Sequence, residues 1–345
     1  MGRPQGPADC PRPVVSSVPK MFAPDGGSCE DDKMTAWEPI ATTGPLATAV
    51  TPSADGILPP ALEIRRALPE PSPPPTALVF ASPHSGDIYP DDMMAAARLG
   101  AEAIRGSEDA FVDRIVAGAP ALGANVILGR LARAYIDLNR DPWELDPAMF
   151  EDDLPVFAQS RSPRVAAGLG AIARVAGEGR PIYARKLTFA EAEARIARAH
   201  RPYHDALDRL LAAARAAHGA AILVDWHSMP AAAALGQRAR GGGPCDIVLG
   251  DRFGAACSPR LTGLVERELE AMGYRVARNA PYAGGYTTEH YGRPARRTHA
   301  LQIEINRALY MNEVTREPHE GLARLTADAE RLTRALAALD LASLR

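Results

Sequence analysis

From Thr76 onward, short apolar runs alternate with longer amphipathic stretches. ALVFAS (Ala77–Ser82) is apolar and ends at PHSG, the pattern of a buried strand that opens into a loop. AAILVDW (Ala220–Trp226) reads the same way and ends at His227. CDIVLG (Cys245–Gly250), YRVARN (Tyr274–Asn279) and HALQIEIN (His299–Asn306) predict further strands. ANVILGRL and ARAYIDLNR predict two more over Ala124–Arg140. Residues 92–105 and 109–118, the segment LTGLVERELEAMG and the stretch Ala323–Leu344 read as helices. The longest predicted helix starts at Thr188, with Glu191 three residues on forming a capping box, and runs to His218 before Gly219. Pro202 predicts a kink or a split in it. Residues 141–187 read as loop-rich with short helices. Strands alternating with helices predict an α/β fold: a mainly parallel mixed sheet flanked by helices.

The first 75 residues break this pattern. They hold 16 of the 31 prolines and show no sustained periodicity. A segment such as EPSPPP (Glu70–Pro75) cannot build a packed core element, so 1–75 is expected as a mostly mobile extension. Residues 76–345 are expected as one α/β domain. The start has no charged n-region followed by an apolar h-region, so it does not read as a secretory signal.

Composition narrows the function classes. At 345 residues, 46% hydrophobic and 23% charged, the chain suits a soluble globular protein, and a cytoplasmic location is expected. Its formal charge of −3 argues against nucleic-acid binding, and no apolar run approaches the roughly 18 residues of a membrane span. Cys10, Cys29, Cys245 and Cys257 lack zinc-knuckle spacing, and Cys257 has no evident base beside it. The glycine run at 241–243 lacks the Lys-Ser/Thr of a phosphate loop and reads as a linker.

Three polar clusters stand at the carboxyl ends of predicted strands, where open α/β sheets bind ligands: His84, His227 and Glu304. Each histidine is either structural or a metal ligand whose second ring nitrogen is held by an acceptor. Two histidines with a carboxylate from Glu108–Asp109 would make a catalytic zinc site. Glu304 lies within the apolar run LQIEI, with Gln302 on the same parity. It is either an outward-facing strand residue or a general base beside the metal. In DLNR, Asn139 and Arg140 follow a predicted strand, and Arg140 is a fork for a substrate carboxylate or a structural partner of Asp137. GGYTTEHYGRP (Gly284–Pro294), with His290 and Arg293, is a mobile specificity loop or a hairpin.

In chain order, SPHSGDIYP, SEDAFVDR, RAYIDLNRDPWELDPAMF, IYARKLT, RPYH, DWHSMP, CDIVLGDRFGAAC, PYAGGYTTEHYGRP and HALQIEINRALYMNE resemble the N-formylglutamate amidohydrolase family over about residues 76–320. The resemblance implies a phosphorylase/hydrolase-like fold related to the zinc carboxypeptidases. It also implies zinc-dependent release of formate from N-formyl-L-glutamate, a late step in histidine breakdown. Carried onto this chain, His84 and His227 are metal ligands and Asp109 is the acidic third, with Glu108 its rival. Some members carry D-W-H-V-D here, whereas Asp109–Asp113 of this chain has Phe111 in place of the histidine. Glu304 is then the base, and Asn139 and Arg140 hold a substrate carboxylate, with Arg293 and Arg297 as further candidates. The cofactor is one divalent metal, and the partner is a small N-formyl amino acid. Kept open are a zinc hydrolase of another N-acyl amino acid or small peptide, and a non-catalytic ligand-binding protein.

Overall fold

The computed structural model describes Gly2 and residues 59–67, 73–235 and 243–344. Its strands are β1 (Leu62–Arg65), β2 (Leu78–Ser82), β3 (Asn125–Gly129), β4 (Val175–Ala176), β5 (Arg180–Pro181), β6 (Ala221–Met229), β7 (Ile247–Gly250), β8 (Val276–Arg278) and β9 (Thr298–Asn306). Seven of them form one sheet in the order β1-β3-β2-β6-β9-β7-β8, while β4 and β5 pair as a small ribbon. The central pairs β3–β2, β2–β6 and β6–β9 are parallel, as is β7–β8. β1 and β7 run antiparallel to their neighbours β3 and β9. The fold is therefore the expected mainly parallel mixed sheet.

Burial on both faces explains the unbroken apolar runs of β2, β3 and β7, in which every residue is buried. One face carries Phe80, Val224, Leu301 and Ile303 against the helices Pro259–Ala271 and Gly321–Ala337. The other carries Val79, Ala81 and Leu223 against Tyr203, Leu207, Leu210 and Ala214 of the helix Arg201–His218. Among the described residues, no helix is long and apolar enough to cross a membrane.

The long helix follows its predicted signals. Thr188 and Glu191 form the capping box, and Gly219, with φ of 72°, closes the C-terminus at no Cβ cost. The split expected at Pro202 appears as a π-helical segment, Ile196–His200, between the helices Phe189–Arg195 and Arg201–His218. A wider turn just before the proline accommodates its missing N–H.

Several expectations are replaced. The strand predicted over 132–140 is a run of turns. Tyr135 N–H bonds Ala132 O, Asp137 N–H bonds Ala171 O, and the Asp137 carboxylate accepts Asn139 N–H, so no sheet partner remains for this segment. The helix expected over 92–105 breaks into Asp91–Ala96 and Ala101–Ile104, because Ala97 bridges the Tyr183 backbone. The helix expected over 109–118 is only Val112–Ile115, and the last helix stops at Ala337. The Gly284–Pro294 segment holds a short helix, Tyr286–Tyr291, and is neither an open loop nor a hairpin.

The extension expected over 1–75 is wrong at one place. LEIR (Leu62–Arg65) pairs with β3, Arg130 N–H bonds Ala61 O, and Ala67 N–H bonds the Asn125 side chain at 3.0 Å. Apart from Gly2, residues 1–58 lie outside the description, as do 68–72 and, within the glycine linker, 241–242.

Candidate metal and hydrolytic site

The site begins with strand parity. On β6, Ala221 and Leu223 face one apolar layer, so Asp225 and His227, two and four residues on, continue the same face beyond it. The β6–β9 register sets Asp225 opposite Gln302 and His227 opposite Glu304. Trp226, Ile303 and Ile305 take the other face into the core. Two adjacent strands thus change from apolar to polar on one face as they reach their carboxyl ends. A cleft of about 840 Å³ opens there, lined by His84, Asp109, His227, Gln302 and Glu304 among others. The outward-facing reading of Glu304 fails, since the residue is only 7% exposed.

His84, just past β2, and Asp109 join His227 in a buried group. His227 Nδ1 lies 3.1 Å from His84 Nδ1 and 3.0 Å from Asp109 Oδ2, and His84 Nδ1 lies 3.4 Å from the same oxygen. The outer nitrogens meet carboxylates: His84 Nε2 bonds Asp137 Oδ1 at 2.6 Å, and His227 Nε2 bonds Asp225 Oδ2 at 2.9 Å. Holding a cation would require each imidazole to be neutral, its one proton committed outward on Nε2 and its Nδ1 lone pair turned inward in place of the Nδ1–H that bonds Asp109. Two lone pairs and a carboxylate oxygen then converge on one point. That donor set fits a divalent cation such as zinc, with three protein ligands and an open side toward the cleft.

Asp109 is fixed by its other oxygen. Oδ1 receives Arg307 Nη2 at 3.1 Å and lies 3.6 Å from Arg133 Nη1. Burial works against its charge, but hydrogen bonds from His227 and His84 hold its carboxyl well below the usual range. Burial likewise opposes Asp137, and Arg133 and His84 hold it well below that range. Glu108 is buried but turned away, bonded to Tyr89 Oη at 2.5 Å and to Arg105. The geometry therefore groups Asp109, not Glu108, with the histidines.

Glu304 Oε1 accepts Gln302 Nε2 at 2.8 Å, and Oε2 has no hydrogen-bond partner among the described residues. Burial pushes its carboxyl up to about 7, partly offset by the charge of His227. Asn139 is more occupied than its motif suggests. Its Oδ1 accepts Thr287 N–H at 2.8 Å, and its Nδ2 lies 3.4 Å from both Asp225 Oδ2 and Gln302 Oε1.

Arg140 lines the cleft and bonds only the carbonyls of Asn139 and Leu169. Burial lowers its pKa, and no carboxylate pairs with it among the described residues. Arg293 and Arg297 are not brought to the cleft. Arg293 bonds the carbonyls of Glu289 and Gly292, and Arg297 bonds those of Gly219 and Leu341. Burial pushes the Cys257 thiol up to about 12, so it is no nucleophile. Arg133, Asp225 and Arg307 escaped sequence reasoning, and Asp137 figured there only as a structural partner of Arg140. Asp225 alone carried a readable signal, two residues before a candidate ligand on a predicted strand and hence on its face.

A family model described as N-formylglutamate amidohydrolase matches residues 76–311. An N-formylglutamate deformylase of Pseudomonas putida is 32% identical over 262 residues, covering 72% of this chain and 87% of the relative. Another, of Pseudomonas aeruginosa, is 30% identical over 240 residues, covering 68% and 82%. The crystal structure of an N-formylglutamate amidohydrolase from Ralstonia eutropha matches with a TM-score of 0.74 at 41% identity, covering 80% of this chain and 97% of that one. A gene product of Agrobacterium tumefaciens shares the fold, with a TM-score of 0.55 at 19% identity over 81% and 96% of the two chains. The chain belongs to the N-formylglutamate amidohydrolase family, hydrolases acting on linear amide C–N bonds.

Proposed function

We propose that the chain is a metal-dependent amidohydrolase that cleaves N-formyl-L-glutamate to formate and L-glutamate. The observation that carries this reading is the convergence of His84 Nδ1, His227 Nδ1 and Asp109 Oδ2 in the same cleft as the buried carboxylate of Glu304. His84, Asp109 and His227 would hold the cation, here taken as zinc, which when bound supplies Lewis acidity toward the formyl carbonyl and acidifies water. Asp137 and Asp225 keep both imidazoles turned with Nδ1 inward.

Glu304 takes a proton from the attacking water at its carboxylate and returns it to the leaving nitrogen. The water oxygen bonds the formyl carbon, the C–N bond breaks, and the amine leaves neutral. Gln302 orients Glu304 through Oε1, which leaves Oε2 for the proton. Arg140 binds one substrate carboxylate, and Asn139 holds its loop through Thr287 and Asp225. In this reading the chain serves histidine breakdown in the cytoplasm.

The test is formate release from N-formyl-L-glutamate by protein stripped with chelator, before and after added zinc. N-acetyl-Glu, N-formyl-Met and a dipeptide run alongside. Zinc-restored release specific to N-formyl-Glu supports the proposal. Faster cleavage of another substrate moves the activity to that acyl amino acid or peptide, and no cleavage with zinc bound leaves a ligand-binding protein.

A further inference from the structure

A substrate with two carboxylates needs two cationic poles, and Arg140 supplies one. Five arginines line the cleft: Arg133, Arg140, Arg164, Arg252 and Arg307. Arg133 and Arg307 are tied to Asp109, and Arg133 also to Asp137. Arg164 lies 3.9 Å from Glu144, and its charge lowers the pKa of Arg140, so these two belong to the same pole. Arg252 stands elsewhere, on the loop after β7.

Its placement is built. Arg252, Phe253 and Gly254 all have positive φ, at 53°, 56° and 85°. Two consecutive non-glycine residues in the left-handed region are unfavourable, and such strain persists only where surrounding bonds hold it. Here Asn279 Oδ1 accepts the N–H groups of Asp251 and Phe253, and Arg252 N–H bonds Ala283 O at 2.8 Å. The arginine lies against Gly284, where a Cβ would sit 3.2 Å from Arg252 Cγ. Gly285, next along, touches Asn139 and donates its N–H to Gln302 Oε1 at 2.8 Å. Arg252 is thus separated from the reacting end of the cleft by two glycines. Among the described residues, the one carboxylate on its guanidinium is Glu289, 2.9 Å from Nη2 and 57% exposed.

We infer that Arg252 reads the side-chain carboxylate of the substrate and sets the preference for an acidic amino acid, with Glu289 an internal stand-in that the substrate displaces. This rests on the deformylase reading above. Exchange of one exposed carboxylate for another costs less than stripping a buried pair, so the arginine stays available while remaining positioned.

The test compares kcat/KM for N-formyl-L-glutamate with that for N-formyl-L-glutamine, in which a neutral amide of similar shape replaces the side-chain carboxylate. Arg252→Ala should cut the Glu-over-Gln ratio by about 10- to 150-fold, the range of a charge-assisted hydrogen bond, with zinc content as in the parent. Arg252→Lys should recover part of it. Glu289→Gln should lower KM for N-formyl-Glu by a few-fold without lowering kcat. An unchanged ratio in Arg252→Ala, or collapse of the ratio in Arg164→Ala instead, overturns the inference while leaving the deformylase reading standing. A parent protein that releases no formate from either compound overturns both.

Discussion

His227 and Glu304 are register partners across the parallel ladder of β6 and β9, so a candidate metal-ligand imidazole and a carboxylate pushed up to about 7 share one sheet face. The sheet, more than any loop, sets their separation. A base must come within about 2.6–3.2 Å of the proton it takes. Glu304→Gln keeps the shape and the Gln302 contact but cannot accept a proton. Turnover should fall by roughly 10²–10⁴ while zinc content holds. Normal kcat in this variant rejects the base assignment, and lost zinc makes Glu304 a ligand.

Metal retention should separate the ligands from the carboxylates behind them. His227→Ala should lose zinc and activity together while remaining folded by circular dichroism. Asp225→Asn removes the negative charge behind His227 Nε2, and should weaken zinc by about 10- to 100-fold, with activity recovered at high zinc. Full zinc in His227→Ala would defeat the ligand set.

Arg140 should govern substrate affinity and not metal. Arg140→Ala should lower kcat/KM on N-formyl-Glu by about 10- to 150-fold, and Arg140→Lys should still raise KM because the fork is lost. Unaltered kinetics in the alanine variant would move the first carboxylate site to Arg164.

The N-terminal segment should divide at β1. A chain beginning at Pro59 should retain activity within about twofold. A chain beginning at Thr76 lacks β1 and bares the edge of β3, and should melt earlier and aggregate. Each kcal/mol lost lowers Tm by roughly 2–4 °C. Equal melting of the two chains would show that β1 adds nothing.

The capping box supplies a pH signature. The Arg185 guanidinium and the Thr188 N–H hold the Glu191 carboxyl at about 2, below its usual 4.5. A depressed carboxyl stabilises the fold above the unfolded value, and that contribution disappears as pH falls from 4.5 toward 2. Exposed pairs are worth about 0.2–1 kcal/mol, so Glu191→Gln should melt about 1–3 °C earlier at pH 7. The gap should close near pH 2. A gap that persists there would assign the effect to packing.

Legibility followed burial. β2, β6 and β9 could be read because strands covered on both faces need unbroken apolar runs, and the polar residues ending them stand out. ARAYIDLNR misled because buried turns can alternate apolar and polar residues as a strand does. Asp137 bonding Asn139 N–H and His84 there is a tertiary fact. Arg293 and Arg297 were attractive for their closeness to the glycine segment, but the helix Tyr286–Tyr291 carries the chain past the cleft before reaching them. β1 is four residues long, too short for periodicity to register against its proline-rich surroundings.

The alternation of β6 and β9 also makes catalysis a report on folding. A slip of β9 by one residue would turn Gln302 and Glu304 into the apolar layer and bring Leu301 and Ile303 out beside His227. Such a chain could be compact and rich in secondary structure yet inert. Specific activity after refolding would therefore count the molecules whose central strands found their correct alignment, a discrimination that circular dichroism lacks.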